Sequence, residues 1–212
     1  MGQKIHPIGY RLVTTNSHNS LWYSKISQYK KFLNEDISIR THFKKYEEKF
    51  LISKIKILRS SNLKRLKIIF FTANFSLFSD ENNLEFFKII NKIKKKLQKL
   101  YLINVSFKSL KNPNSNAAIL SFYLGSLILE RIPFKRACKK VLEKALESNI
   151  LGIKIQVSGR LNGAEMARTE WVKKGPIPLH TLRADIDFHK TNIITIYGLL
   201  GIKIWIYKGQ TL

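Results

Sequence analysis

Apolar positions near the N-terminus first follow helical spacing. Between residues 25 and 50, large apolar side chains recur at near-helical intervals, which is typical of amphipathic helices. The polar run Asn34-Glu35-Asp36 interrupts them, and residues of this kind prefer helix N-caps. We therefore predict two short helices here. Residues 1–24 sustain no period and are predicted to form an extended arm.

The next apolar runs have the composition of strands. Residues 51–58 and 63–72 are rich in β-branched and aromatic side chains and flank a short polar turn, so they predict an antiparallel pair. A helix follows, with an apolar face that recurs from residue 84 to 100, and then a strand at 102–110. Residues 25–111 are thus predicted to form one domain with the order helix, strand, strand, helix, strand.

A polar segment at residues 111–116 breaks all periodicity and is the predicted domain boundary. Beyond it, residues 117–130 and 134–148 have the apolar stripes of two helices, split at Pro133. Strand-like runs follow at residues 152–160, 165–174, 182–188 and 201–208. We predict an α+β protein in which residues 112–212 form a C-terminal α/β domain, with two helices packed on a mainly antiparallel four-stranded sheet.

The charge balance points to a class of ligand. The 212 residues include 38 lysines and arginines against 14 aspartates and glutamates, a formal net charge of +24. So strong a field favours a polyanionic partner, and nucleic acid is the expected one. The 44% hydrophobic content excludes a disordered basic tail. Lysine outnumbers arginine 29 to 9, which suggests A+T-rich codons, as in an organelle or a biased bacterial or nuclear genome.

Two predicted helices present cations opposite their apolar stripes. The first carries Lys92, Lys94, Lys95, Lys96 and Lys99, and the second carries Lys135, Arg136, Lys139 and Lys140. Cations this close cost stability unless an anion lies near them, and an RNA phosphate backbone is the simplest such anion. The strand-rich region adds further candidate phosphate contacts, which are Arg160, Arg168, Lys173, Lys174 and Arg183.

Signals for catalysis are weak. Asp185 and Asp187 alternate on one predicted strand and could act as Mg²⁺ ligands, but nearby cations favour simple charge balancing. Cys138 lies on an apolar stripe, and no histidine has metal-ligand spacing with another histidine or with this thiol. The chain has no phosphate-binding Gly-Lys-Ser/Thr loop. We expect no enzyme, no cofactor, no metal and no membrane span. The alternatives are an RNA-processing enzyme that uses the two aspartates with Mg²⁺, and a free module that binds single-stranded RNA.

Several long segments resemble one known family. The opening Met-Gly-Gln-Lys-Ile-His-Pro-Ile-Gly-Tyr-Arg is similar to the start of the bacterial and organellar small-subunit ribosomal protein three family. The resemblance returns at residues 134–140 and is strongest at 152–171, which begin Gly-Ile-Lys-Ile-Gln-Val-Ser-Gly-Arg-Leu-Asn-Gly-Ala-Glu-Met-Ala-Arg. It continues through residues 178–187 and 197–206. Residues 25–130 match mainly by pattern.

This resemblance implies a component of the head of the small ribosomal subunit, with an N-terminal KH domain of the prokaryotic type II and a C-terminal α/β domain. It implies rRNA binding and a place at the mRNA entrance tunnel with ribosomal proteins four and five, and beside proteins ten and fourteen in the head. By motif position, it also implies that Lys135, Arg136 and Lys139 help to unwind incoming mRNA. The predicted rRNA-binding residues are Gln3, Lys4, His6, Arg11, Lys92, Lys95, Lys96, Lys99, Lys140, Arg160, Arg168, Lys173, Lys174 and Arg183.

One departure from the family pattern bears on function. A KH domain grips single-stranded RNA with a Gly-x-x-Gly loop, whereas residues 74–83 contain no glycine and include Asp80 and Glu81. We therefore expect a KH fold whose nucleotide groove is degenerate. Plastid members of the family tend to lack this loop, and the N-terminus has no transit-peptide character. The expected location is the ribosome of the plastid stroma, with a mitochondrion or a bacterial-type cytoplasm as alternatives.

Overall fold

The computed structural model describes residues 4–60, 65–74, 87–88, 90–91, 95 and 102–210. The chain divides into two compact units. The first, here called the C-terminal unit, combines Met1–Ser17 with Asn112–Leu212, and the second, the N-terminal unit, is His18–Lys111.

The N-terminal unit is built on a sheet of four strands in the order β1-β2-β3-β4. Helix α2 spans Ile26–Lys44, and the strands are β1 (Ser20–Leu21), β2 (Ile52–Arg59), β3 (Arg65–Thr72) and β4 (Leu102–Ser109). β2 and β3 are antiparallel, as predicted, whereas β3 runs parallel to β4 and β1 runs parallel to β2. Phe43, Ile57 and Phe70 lie at the centre of the apolar core.

The prediction of two short helices before β2 is wrong, because α2 continues through Asn34-Glu35-Asp36. Asp36 is buried, and its carboxylate accepts a hydrogen bond from Nε1 of Trp22 at 2.8 Å. It also pairs with the guanidinium of Arg59 at 2.7 Å, while a second nitrogen of that group pairs with Glu35 at 2.9 Å. These acids are therefore held by a cation from a neighbouring strand and do not cap a helix.

The predicted lysine-rich helix lies largely outside the described residues. Residues 87, 88, 90, 91 and 95 are helical, and Ile90 is buried in the core of the N-terminal unit. Lys95 is exposed. Lys92, Lys94, Lys96 and Lys99 are not among the described residues, nor are residues 75–83, which contain most of the segment that lacks glycine.

The C-terminal unit confirms the prediction of two helices on a four-stranded antiparallel sheet. The helices are α3 (Ala117–Leu129) and α4 (Phe134–Leu146), and the strands are β5 (Gly152–Gly159), β6 (Arg168–Lys174), β7 (Ala184–Thr195) and β8 (Gly198–Gln210). The sheet order is β6-β5-β8-β7. Ala137 and Val141 of α4 share one core with Ile155 of β5 and Ile204 of β8.

The predicted extended arm is partly wrong, since residues 4–17 fold as part of the C-terminal unit. Pro7–Tyr10 form the short helix α1, and Nδ1 of His6 accepts a hydrogen bond from its Gly9 amide at 3.3 Å. The guanidinium of Arg11 is fully buried. It donates hydrogen bonds to the carbonyl oxygens of Pro7, Pro178, Leu179, Thr181 and Ala184, at 2.8 to 3.3 Å. Arg11 thereby fastens the arm to the C-terminal unit.

Among the described residues, no helix has both the length and the apolar character needed to cross a membrane.

Candidate nucleic-acid interface

Helix α4 separates apolar and basic side chains onto opposite sides. Ala137, Cys138 and Val141 are fully buried, while Lys135, Arg136, Lys139 and Lys140 are exposed. Pro133 precedes the helix, and the amide of Phe134 at its first position donates to the side-chain carbonyl of Asn162 at 3.1 Å. No ion pair among the described residues involves the four cations. The basic face of α4 is therefore open to an anionic ligand.

The sheet of the C-terminal unit presents a second basic surface. Side chains alternate along a strand, so buried Ile153, Ile155 and Val157 pack toward the helices and the residues between them point away. We define the outer face as the side chains of β5–β8 that point away from α3 and α4. Its members include Lys154, Gln156, Trp171, Lys173, Phe188, Lys190, Lys203 and Trp205.

Two pairs of lysines stand directly opposite one another on this outer face. Lys154 is the register partner of Lys173, and Lys190 is the partner of Lys203. Like charges in this arrangement destabilise a sheet. Burial lowers the pKa of Lys154, and the positive charges of Lys4 and Lys173 lower it further. Charge repulsion between these lysines therefore destabilises the free protein, and a bound polyanion would relieve it.

Aromatic rings lie among these cations. The ammonium of Lys154 lies 5.2 Å from the centre of the Trp171 ring and 5.3 Å from that of Trp205. The Trp205 ring is also 5.2 Å from Phe188 and is buried, whereas Trp171 on the edge strand β6 is 60% exposed. Aromatic side chains interleaved with cations are the arrangement that single-stranded nucleic acids bind.

The five predicted cations of the strand region do not form one surface. Lys173 lies on the outer face, but alternation along β6 places Arg168 and Lys174 on the opposite side. Arg168 pairs with Glu170 at 2.9 Å. Arg160 is exposed and donates to the carbonyls of Ala164 and Tyr197, at 2.8 and 3.3 Å. Arg183 is exposed in the segment before β7.

The predicted arm residues have different environments. Lys4 is exposed and close enough to Lys154 to lower its pKa. The ring of His6 packs edge-on against Phe188, with 4.9 Å between centroids. The side chain of Arg11 is buried and donates hydrogen bonds to carbonyls of the C-terminal unit, and burial lowers its pKa. This burial argues against an rRNA contact by the Arg11 side chain, and Gln3 lies outside the described residues.

The two aspartates considered as Mg²⁺ ligands have no metal-binding arrangement. The Asp187 carboxylate accepts a hydrogen bond from the Ala117 amide at 3.0 Å, at the start of α3, and lies 3.5 Å from the Lys208 ammonium. Asp185 is close enough to Arg11 for its negative charge to favour the charged form of the Arg11 guanidinium. Within the described part of the chain, no group of three or more His, Cys, Asp or Glu could hold a metal ion. Both carboxylates thus interact with groups of the protein itself.

Lys154, Trp171, Lys190 and Lys203 were not predicted as binding residues. A signal exists in the sequence for two of them, because Lys154 in β5 and Lys203 in β8 alternate with apolar residues. Assigning the polar residues of this alternation to the solvent side would have selected Lys154 and Lys203. Their cross-strand neighbours depend on the order of the strands in the sheet, which alternation does not determine.

Comparison with known proteins identifies the family. A family model described as ribosomal protein S3, C-terminal domain, matches residues 124–206. Over its full length, the chain is 40% identical to small ribosomal subunit protein uS3 of Synechocystis sp., and covers 88% of that protein. The chain belongs to the uS3 family.

Other uS3 relatives carry the designation uS3c. The chain is 38% identical to uS3c of Guillardia theta, over 99% of the chain and 96% of the relative. It is also 38% identical to uS3c of Mesostigma viride, over 99% of the chain and 98% of the relative. The predicted membership of the ribosomal protein three family is thus confirmed, and with it the role of a structural constituent of the small ribosomal subunit. The uS3c relatives are consistent with the chloroplast ribosome predicted from the sequence, and uS3 is a family of structural proteins rather than enzymes.

Proposed function

We propose that this uS3 protein binds small-subunit rRNA in the head of a plastid ribosome and contacts mRNA at the entrance tunnel. The basic face of α4 carries this proposal, since its four exposed cations have no ion-pair partner among the described residues. The opposed lysine pairs of the outer face support the rRNA contact. The exposed residues that remain proposed rRNA contacts are Lys4, His6, Lys95, Lys140, Arg160, Arg168, Lys173, Lys174 and Arg183.

Lys135, Arg136 and Lys139 are the proposed mRNA contacts. They lie within the first two turns of α4, whose buried side is anchored in the core. A rigid row of cations can hold the phosphates of separated strands by charge alone. Translocation supplies the work of opening a hairpin, so the mechanism requires no nucleotide-binding site on this protein.

A translation assay tests the mRNA role. In ribosomes carrying Lys135, Arg136 and Lys139 all changed to Ala, we expect slower passage through a stable mRNA hairpin and an unchanged rate on unstructured mRNA. A matched control changes Lys30, Lys31 and Lys45, three exposed lysines of the N-terminal unit, to Ala. Equal slowing on both messages, or equal slowing by the control, would contradict the proposal.

The rRNA role has a separate test. Small subunits are sedimented at about 0.3–0.5 M salt, which weakens binding that rests on a few phosphate contacts. We expect the protein to remain with the subunit in stoichiometric amount. Recovery at the top of the gradient would contradict stable rRNA binding.

We also propose that the N-terminal unit is a KH-like domain with a degenerate nucleotide groove, and that neighbouring small-subunit proteins four, five, ten and fourteen contact this chain. The order of α2, β2, β3, the helical residues near 90 and β4 supports the KH assignment, and the absence of glycine from residues 74–83 supports the degenerate groove. Cross-linking in intact subunits should yield peptides joined to these four proteins and no RNA joined to residues 74–83.

A further inference from the structure

We propose that the outer face binds an unpaired RNA nucleotide whose base stacks on Trp171. This inference rests on the proposed rRNA-binding function and adds a ligand class and a residue to it. The site consists of the open Trp171 ring on β6, with Lys154 and Lys173 beside it.

The two tryptophans of the outer face differ in a way that indicates an open stacking surface. Trp205 is 7% exposed, and it lies in an apolar cluster with Ile186 and Phe188 and near Lys154. Trp171 also has Lys154 near its ring, yet it remains 60% exposed. Tryptophan is a residue that proteins normally bury for most of its surface. An indole held on a regular strand and left open offers a flat face at little further cost in ordering.

The charges around Trp171 favour a nucleotide over a protein segment. Outward-facing positions of β5, β6 and β8 include Lys154, Lys173 and Lys203, and these positions contain no carboxylate. The opposed pair Lys154 and Lys173 is destabilising without an anion. An unpaired nucleotide supplies both groups that the site lacks, a base to cover the indole and a phosphate to neutralise the lysines. A duplex cannot do so, because its bases are already stacked.

Titration of fluorescently labelled RNA with the full-length protein tests this inference. The probes are an unstructured oligouridine and a blunt RNA duplex of equal length, at one fixed salt concentration. Trp171→Leu should weaken oligouridine binding about 5- to 100-fold and leave duplex binding within about twofold. Trp171→Phe keeps an aromatic face and should stay within about threefold of the parent protein.

Lys173→Gln is the companion variant, since it removes one phosphate contact and keeps the ring. It should make the negative slope of log K against log salt shallower by about 0.7 for the single strand, while Trp171→Leu leaves that slope unchanged. Unchanged oligouridine affinity in Trp171→Leu, or an equal loss in Trp171→Phe, would overturn the stacking role. Circular dichroism of each variant establishes that the exposed substitution leaves the fold intact.

Photo-cross-linking in assembled subunits separates this inference from the proposed function. With a photoreactive phenylalanine analogue at position 171, we expect an adduct to rRNA that maps to an unpaired nucleotide. An adduct to a neighbouring protein, or to a base-paired nucleotide, overturns the inference and leaves the rRNA-binding proposal standing. Failure of the unsubstituted protein to sediment with the small subunit would instead contradict the proposed function.

Discussion

Replacing the buried arginine of the arm should destabilise the whole C-terminal unit. In Arg11→Met the aliphatic stem is kept and the guanidinium is lost. Five carbonyl oxygens that accept hydrogen bonds from it at 2.8 to 3.3 Å then lose that donor. These carbonyls belong to α1, to residues 178–181 and to the start of β7, so the arm and two segments of the sheet domain are released together.

The size of the effect follows from the number of donors and not from the number of bonds. Three of the five bonds share one nitrogen, so together they contribute less to the free energy of unfolding than three separate hydrogen bonds would. Each buried group left without a partner costs about 1–3 kcal/mol, and each of the three guanidinium nitrogens serves at least one carbonyl. We expect a loss of about 3–5 kcal/mol in the free energy of unfolding of the C-terminal unit. Arg11→Lys should lose less, because an ammonium has three donors.

The single cysteine of the chain supplies the assay. Cys138 is fully buried in the core of the C-terminal unit, so a thiol reagent reaches it only when this unit opens. In Arg11→Met we expect the labelling rate to rise about 10²- to 10⁴-fold, which is 3–5 kcal/mol at about 1.4 kcal/mol per factor of ten. Arg136→Met, at an exposed position on α4, is the matched control and should change the rate less than about threefold. Equal rates in the two variants would refute the anchoring role of Arg11.

Two further predictions concern buried ionisable groups. Arg59→Met removes the guanidinium that pairs with the Glu35 and Asp36 carboxylates, so we expect the N-terminal unit to lose about 3–5 kcal/mol, measured by hydrogen exchange in β2 and β3. Lys67→Met, exposed on β3, is the control, and equal protection in both variants would contradict the prediction. Burial raises the pKa of the Cys138 thiol from 9.0 to about 12. The buried neutral thiol therefore contributes fully to the stability of the C-terminal unit below pH 9, and this contribution is lost as the pH rises from 9 to 12. The stability of Cys138→Ala should therefore fall less steeply over this interval, and parallel curves would show that the thiol does not contribute.

Local patterns predicted the elements of the C-terminal unit closely. The stripe on residues 134–148 predicted α4, which spans Phe134–Leu146, because burial of one helix side leaves a 3.6-residue period. Alternation predicted all four strands, although β7 and β8 extend further than expected. The basic face of α4 was predictable for the same reason, since a helix places its exposed residues by spacing alone.

Interactions between distant residues were not predictable in this way. Asn34-Glu35-Asp36 resembles a cap but lies inside α2, because Arg59 from β2 neutralises two of these residues. Arg11 resembles an RNA contact in a basic arm, but it donates its hydrogen bonds to carbonyls more than 160 positions away. In both cases the partner that decides the role of the residue is remote in the chain.

The sequence by itself determined the family, the α+β class, the basic character and the amphipathic helices, because composition and period are local properties of the chain. Only the tertiary structure decided which cations form a surface. The sheet order β6-β5-β8-β7 places Lys154 against Lys173 and beside the exposed Trp171. Alternation sends Arg168 and Lys174 to the other side. The physical reason is that a binding surface depends on distances between strands, which are set by backbone pairing and by packing of the core.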